Sequence, residues 1–215
     1  MDAATLQIRI YKGYAKAALR IGYLTDQYRP TSAINPLAVS NKLRTLNVSF
    51  NAEDMKYGRP NKYGKPTWYG VYDGTLSQVG DYLISAKDCK FFVAAQQQAL
   101  PILLIECNRL INLLRPQQIS GVGAVGYGGD VDVNESVLMT AWPASVLIGG
   151  RGDKNEVNLP GDTRNGGFLV LLPYFTGVII RTDDIITDDQ KRRFIVQTAE
   201  LSDLGWRLQT MQVQT

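Results

Sequence analysis

The chain contains no histidine. That absence removes Ser-His-Asp and Cys-His nucleophile pairs, histidine-ligated zinc and an imidazole pH switch. Cysteine is nearly as scarce. Cys89 and Cys107 are the only two, too few for a four-cysteine zinc site. They stand in apolar surroundings and read as two reduced, buried thiols, with a disulfide as the alternative. Long hydrophobic runs are also missing. The longest, LPILLIECNRLINLL, is broken by Glu106, Asn108 and Arg109, which makes it too short and too polar to span a bilayer. The first ten residues, MDAATLQIRI, lack the basic segment and apolar core of a secretory signal.

What is present fits an ordinary folded protein. The 215 residues are 45% apolar and 20% charged, enough for one domain or two small ones with a sizeable core. The net charge of +3 hides an asymmetry. Residues 1–120 carry 15 Lys and Arg against 8 Asp and Glu, and residues 121–215 carry 8 against 12. Such a dipole can steer the basic end toward nucleic acid or an acidic protein surface, or orient copies head to tail.

Periodicity divides the chain into four parts. Residues 7–22, within a segment 1–41, predict a short basic amphipathic helix. Lys12, Lys16 and Arg20 recur every fourth residue on one face, with Tyr11, Ala15, Ala18 and Leu19 on another and Gly22 as the stop. Residues 25–41, with two prolines and many small polar residues, read as an extended arm. From residue 42 the period changes to two. LRTLNVSF alternates, WYGVYDGTLSQVGDYLIS reads as two strands joined at Asp73-Gly74, and two more apolar runs complete a first β unit, 42–116. Residues 117–141 form a connector with glycines at 121, 123, 126, 128 and 129. A second β unit, 142–215, again alternates short apolar runs with turns. The expected fold is therefore mainly β: one or two small barrel or sandwich units with a short N-terminal helix and extended loops.

A faint internal repeat favours two units. At an offset of 103, Gly74 meets Gly177, Asp81 meets Asp184, Phe91 meets Phe194 and Val93 meets Val196. Leu83/Ile186, Lys90/Arg193, Phe92/Ile195 and Ile105/Leu208 are similar pairs, so the apolar phase repeats even where identity does not.

Several motifs imitate chemistry. Gly121-x-Gly123-x-x-Gly126 lacks the preceding strand and following helix that a dinucleotide needs. Asp130, Asp132 and Asn134 begin like a calcium loop, but Glu135 stands where its glycine belongs and Ala141 where its glutamate does. Arg151-Gly152-Asp153 sits in a polar loop with no extracellular context. The group Asp183, Asp184, Asp188 and Asp189 reads as a turn with local ion pairing to Lys191, Arg192 and Arg193 rather than a metal or paired-carboxylate site. No catalytic residue, metal or cofactor is expected, and no enzymatic activity. The contact candidates are Lys12, Lys16 and Arg20 on the helix, with Lys56, Tyr57, Arg59, Lys62, Tyr63 and Lys65 in a loop that interleaves cations and tyrosines. That loop suits either phosphates and stacked bases or a neighbouring subunit.

The C-terminal order of Asp184, Ile185, Ile186, Arg192, Arg193, Phe194 and Val196 resembles the closing part of the small β-barrel head-closure, or stopper, proteins of tailed bacteriophages. Arg29-Pro30, Asn35-Pro36-Leu37, the stretch from Lys62 to Pro66 and Trp142-Pro143-Ala144-Ser145 are similar to phage virion proteins more widely. The usual glycine before the aspartate is Asp183 here, although Gly80-Asp81 keeps it in the first half. The resemblance implies a structural virion protein, assembled in the host cytoplasm, that forms part of the ring-shaped head-to-tail connector or neck. Its implied partners are further copies of itself as a ring homo-oligomer, portal-side connector or tail proteins and, depending on placement, packaged DNA, with no membrane. The arm and glycine-rich loop would order against neighbours. A baseplate or tail-terminus ring protein is the alternative within that class, and a single-stranded nucleic-acid-binding barrel the alternative from another.

Overall fold

The computed structural model describes residues 2–52, 65–116, 135–149 and 167–213. The chain begins with a helix, α1 (Ala3–Ile21), four residues longer at its start than the periodicity predicts. The extra turn follows from the Asp2 side chain, which accepts from the Thr5 amide at 2.8 Å and satisfies a donor no helix bond reaches. Gly22 ends the helix, its N–H bonding back to the Ala18 carbonyl at 2.8 Å.

Twelve strands follow among the described residues, in two closed antiparallel barrels. The first contains β1 (Tyr23–Tyr28), β2 (Lys42–Ala52), β3 (Thr67–Val71), β4 (Tyr82–Ser85), β5 (Lys90–Ala95) and β6 (Ile102–Cys107) in the order β1-β2-β3-β6-β5-β4, closed by β4 against β1. The second contains β7 (Arg109–Pro116), β8 (Glu135–Ile148), β9 (Gly167–Leu172), β10 (Ile185–Asp188), β11 (Arg193–Ser202) and β12 (Gly205–Gln212) in the order β7-β8-β9-β12-β11-β10, closed by β10 against β7. The two orders are the same, strand for strand. The fold is mainly β, as expected.

The faint repeat is a repeat of backbone conformation. Gly80 and Asp183 both have positive φ, at 92° and 68°, and Asp88 and Lys191 do too, at 59° and 62°. Asp183 therefore occupies a left-handed position that favours glycine and that aspartate tolerates. The amides of Val93 and Val196 bond the carbonyls of Asp81 and Asp184, each at 2.9 Å.

Three expectations need correcting. First, the unit boundaries move. β1 lies inside the segment read as an arm, and β7 belongs to the second barrel, so only Asn108 separates the two barrels. The Asn108 side-chain amide binds both the N–H and the C=O of Val146, each at 2.8 Å, as a neighbouring strand would. Second, Asp73-Gly74 is not a hairpin. Asp73 caps a short 3-10 turn at 74–76, and β3 and β4 pair with other strands. A local turn signal cannot report that the intervening chain crosses the barrel's end. Third, the arm docks on its own molecule. Ile34 pairs with Thr140 as a parallel bridge, the Asn35 amide bonds the Thr140 carbonyl at 2.8 Å, and Trp142 Nε1 donates to the Ala33 carbonyl at 2.7 Å. Ala141, with φ 54°, marks a bulge in β8 that turns this backbone toward the arm.

One apolar cluster lines the first barrel and the inner face of α1, with Tyr11, Ala18, Val48, Tyr72, Leu83 and Leu104 among its members. A second fills the other barrel and continues across the junction, where Tyr82, Phe92 and Cys107 join Trp142, Leu172 and Phe194. At that junction Tyr82 meets Trp142 edge-on at 6.0 Å and its hydroxyl donates to the Pro143 carbonyl at 2.8 Å.

Candidate functional site

α1 is fixed on the first barrel by its buried side. Tyr11 and Ala18 are buried, Tyr14 is partly buried against the same cluster, and Tyr11 lies directly over Gly74. This packing turns the opposite side outward. Lys12, Lys16 and Arg20 are all exposed there, as the sequence predicts. Arg9 joins them, three residues before Lys12 and equally exposed. Counting only every fourth residue misses it; the i, i+3 spacing on a helix would have found it. Residues 3–21 include no Asp or Glu, and none of the four cations has an ion-pair partner among the described residues. Arg20 in the last turn also faces the negative end of the helix dipole, which favours a cation there. Ile8 and Leu19 are exposed along one flank and Leu6 and Ile21 along the other.

Lys65 is exposed just before β3. Its companions Lys56, Tyr57, Arg59, Lys62 and Tyr63 lie outside the described residues, as do Gly121 to Gly126, Asp130, Asp132, Asn134 and Arg151 to Asp153.

Of the acidic cluster only Asp188 makes the local ion pair expected, with Arg192; Asp184 pairs with the distant Arg115, and Asp189 lies 3.9 Å from Arg109. Asp184 is buried and accepts from Arg115 Nε at 2.8 Å, Arg115 Nη2 at 2.9 Å and the Arg181 amide at 2.7 Å. Asp188 accepts from the amides of Gln190 and Arg192 and from Arg192 Nε at 2.7 Å. Arg193 pairs with Glu135 across the same barrel. No group of three or more His, Cys, Asp or Glu suited to a metal occurs among the described residues.

The first barrel carries the counterpart of the Asp184 lock. Asp81, fully buried, accepts from Arg29 Nε at 2.7 Å and Nη2 at 2.8 Å, from Gln27 Nε2 at 2.7 Å and from the Gln78 amide at 3.0 Å. The carboxylates hold both guanidiniums above their usual basicity, chiefly by hydrogen bonding. The repeat points to Asp81 and Asp184, but the arginines are separated by 86 positions rather than 103, so no single offset finds both members.

The two thiols differ. Both are free, but Cys89 is exposed, contrary to the expectation of two buried residues. It closes the turn after β4, where its carbonyl accepts from the Ser85 amide at 3.0 Å, and its side chain faces away from the core. Cys107 is buried, and burial raises its pKa. Burial likewise raises Tyr82. Both stay protonated near neutrality, so neither is a ready nucleophile.

The chemistry this arrangement offers is electrostatic. The helix packed on the first barrel presents a solvated row of four positive charges and two apolar flanks. No protein family, curated protein or solved structure matches the chain.

Proposed function

We propose that this chain is a structural virion protein of a tailed bacteriophage, forming part of the ring-shaped connector between head and tail. The observation that carries this reading is a cationic row with no ion-pair partner among the described residues, held on two closely joined barrels. Two barrels separated by one residue and stapled by residues 29–41 hold out the row Arg9, Lys12, Lys16 and Arg20. Such a body suits being bolted between other proteins, and a ring built from it would use closed head-to-tail contacts. The stopper-like residues Asp184, Arg192, Arg193 and Phe194 lend support, since they build the ion pairs and core that close the second barrel. The arm plays a different part from the one the resemblance implies, because its contacts are made within the chain.

Deleting the gene from the phage that encodes it is expected to leave DNA-filled heads without tails; infectious particles of normal yield overturn the reading. Antibody label is expected at the head–tail junction, whereas label at the distal tail moves the protein to the baseplate alternative. The cationic row also favours contact with nucleic acid. That second reading predicts salt-dependent binding to single strands, weakened by Lys12→Glu, Lys16→Glu and Arg20→Glu together. A flat titration at low salt removes it.

A further inference from the structure

The two barrels share a topology but not a covering. At the offset of 103, Tyr72, Gly74 and Leu76 correspond to Phe175, Gly177 and Ile179. Tyr72 and Gly74 are buried and Leu76 half-buried; Phe175 is half-buried, Gly177 exposed and Ile179 63% exposed. The cause on the first barrel is α1. A Cβ added at Gly74 would lie 2.5 Å from the Tyr11 ring, whereas one at Gly177 meets nothing within 4 Å among the described residues. Beside Gly177 opens a cavity of about 440 Å³ whose walls include Arg115, Val137, Phe175, Ile179 and Arg181. Val137 is 61% exposed. The described lining has two arginines and no carboxylate. Asp184 neutralises Arg115, while the Arg181 side chain has no ion pair among the described residues.

We propose that this loop face of the second barrel is a seat for an amphipathic helix from a partner protein, one with an aromatic side chain on its buried face and carboxylates along its flank. The first barrel supplies the template: Tyr11 over the glycine, with Tyr14 and Ala18 continuing the same face. Charge selects the partner. A second copy's α1 has four cations and no acid and would meet Arg181 with like charge, and its Tyr11 is already engaged. A helix of the same apolar pattern but acidic flank matches both requirements.

The probe is a fluorescent peptide of residues 2–22 carrying Arg9→Glu, Lys12→Glu, Lys16→Glu and Arg20→Glu, titrated with the full chain by anisotropy. Saturable binding is expected, weakened at least tenfold by Val137→Asp with Ile179→Asp and unchanged by Val79→Asp on the first barrel. Thermal melts check that the variants fold, and Ile179→Ser alone serves if the double variant does not. Absence of saturable binding overturns the proposal, as does binding indifferent to the second-barrel changes. Tighter binding by the unaltered cationic peptide also overturns it, in favour of a second copy. The comparison between barrels stands apart from the virion reading, so failure here leaves that reading intact, and a particle experiment does not decide this one.

Discussion

Asp81 and Asp184 each collect donors from distant strands and from the loop just before them, and so tie a loop to a barrel wall twice in one molecule. Removing the carboxylate leaves a guanidinium without its partner in a partly dry site. Asp81→Ala and Asp184→Ala are each expected to cost about 3 kcal/mol, the low end for breaking a buried pair because Arg29 and Arg115 keep 35% and 29% of their side chains exposed. Urea unfolding measures this; a loss below about 1 kcal/mol in either variant contradicts the lock. The buried phenols set the alkaline limit. Burial raises the folded-state pKa of Tyr82 above its ordinary 10.0, so its contribution is complete below pH 10 and falls as pH rises beyond that value. Each such group adds a slope of about 1.4 kcal/mol per pH unit. Between pH 10 and 12, Tyr82→Phe is expected to lose stability less steeply than the parent by about one proton's worth, read from denaturant midpoints.

α1 was legible because its cations recur at helical spacing and its stop is a glycine. Apart from β1, hidden in the segment read as an arm, the strands were legible from their period. What the sequence concealed was the pairing, since a barrel joins segments whose contact depends on closure and not on neighbouring residues. Asp73-Gly74 looks like a hairpin because only its own four residues are visible locally. The arm looks free because Thr140, its partner, lies about a hundred residues away. Of the contact candidates, the helical ones were legible in place, with Arg9 missed for want of the i, i+3 count. The seat beside Gly177 was not legible, because it is defined by a covering that the first barrel has and the second lacks. The helix itself is expected to hang on one close approach. Gly74→Ala forces a Cβ into the Tyr11 ring, so α1 should loosen. Hydrogen exchange in residues 8–18 should then rise at least tenfold while β10–β12 keep their protection. Unchanged exchange in α1 would show that the ring moves aside at no cost.

At the scale of the molecule, the two barrels share one continuous apolar cluster across their junction. Trp142 is fully buried between Tyr82 of the first barrel and Phe175 of the second, with its indole N–H on the arm. A single calorimetric transition is expected, with calorimetric and van't Hoff enthalpies equal. Trp142→Ala, which should cost about 3–5 kcal/mol, is expected to split it into two. One sharp transition in that variant would place the coupling elsewhere.

The unequal fates of the two sulfurs have a practical outcome. Cys89 stands in solvent while Cys107 is sealed inside with its proton held, so a maleimide dye added to the native protein attaches at one address. The unaltered chain thus carries its own handle for energy-transfer measurements, and a donor-labelled preparation mixed with an acceptor-labelled one reports directly whether molecules gather, how fast they exchange and what disperses them.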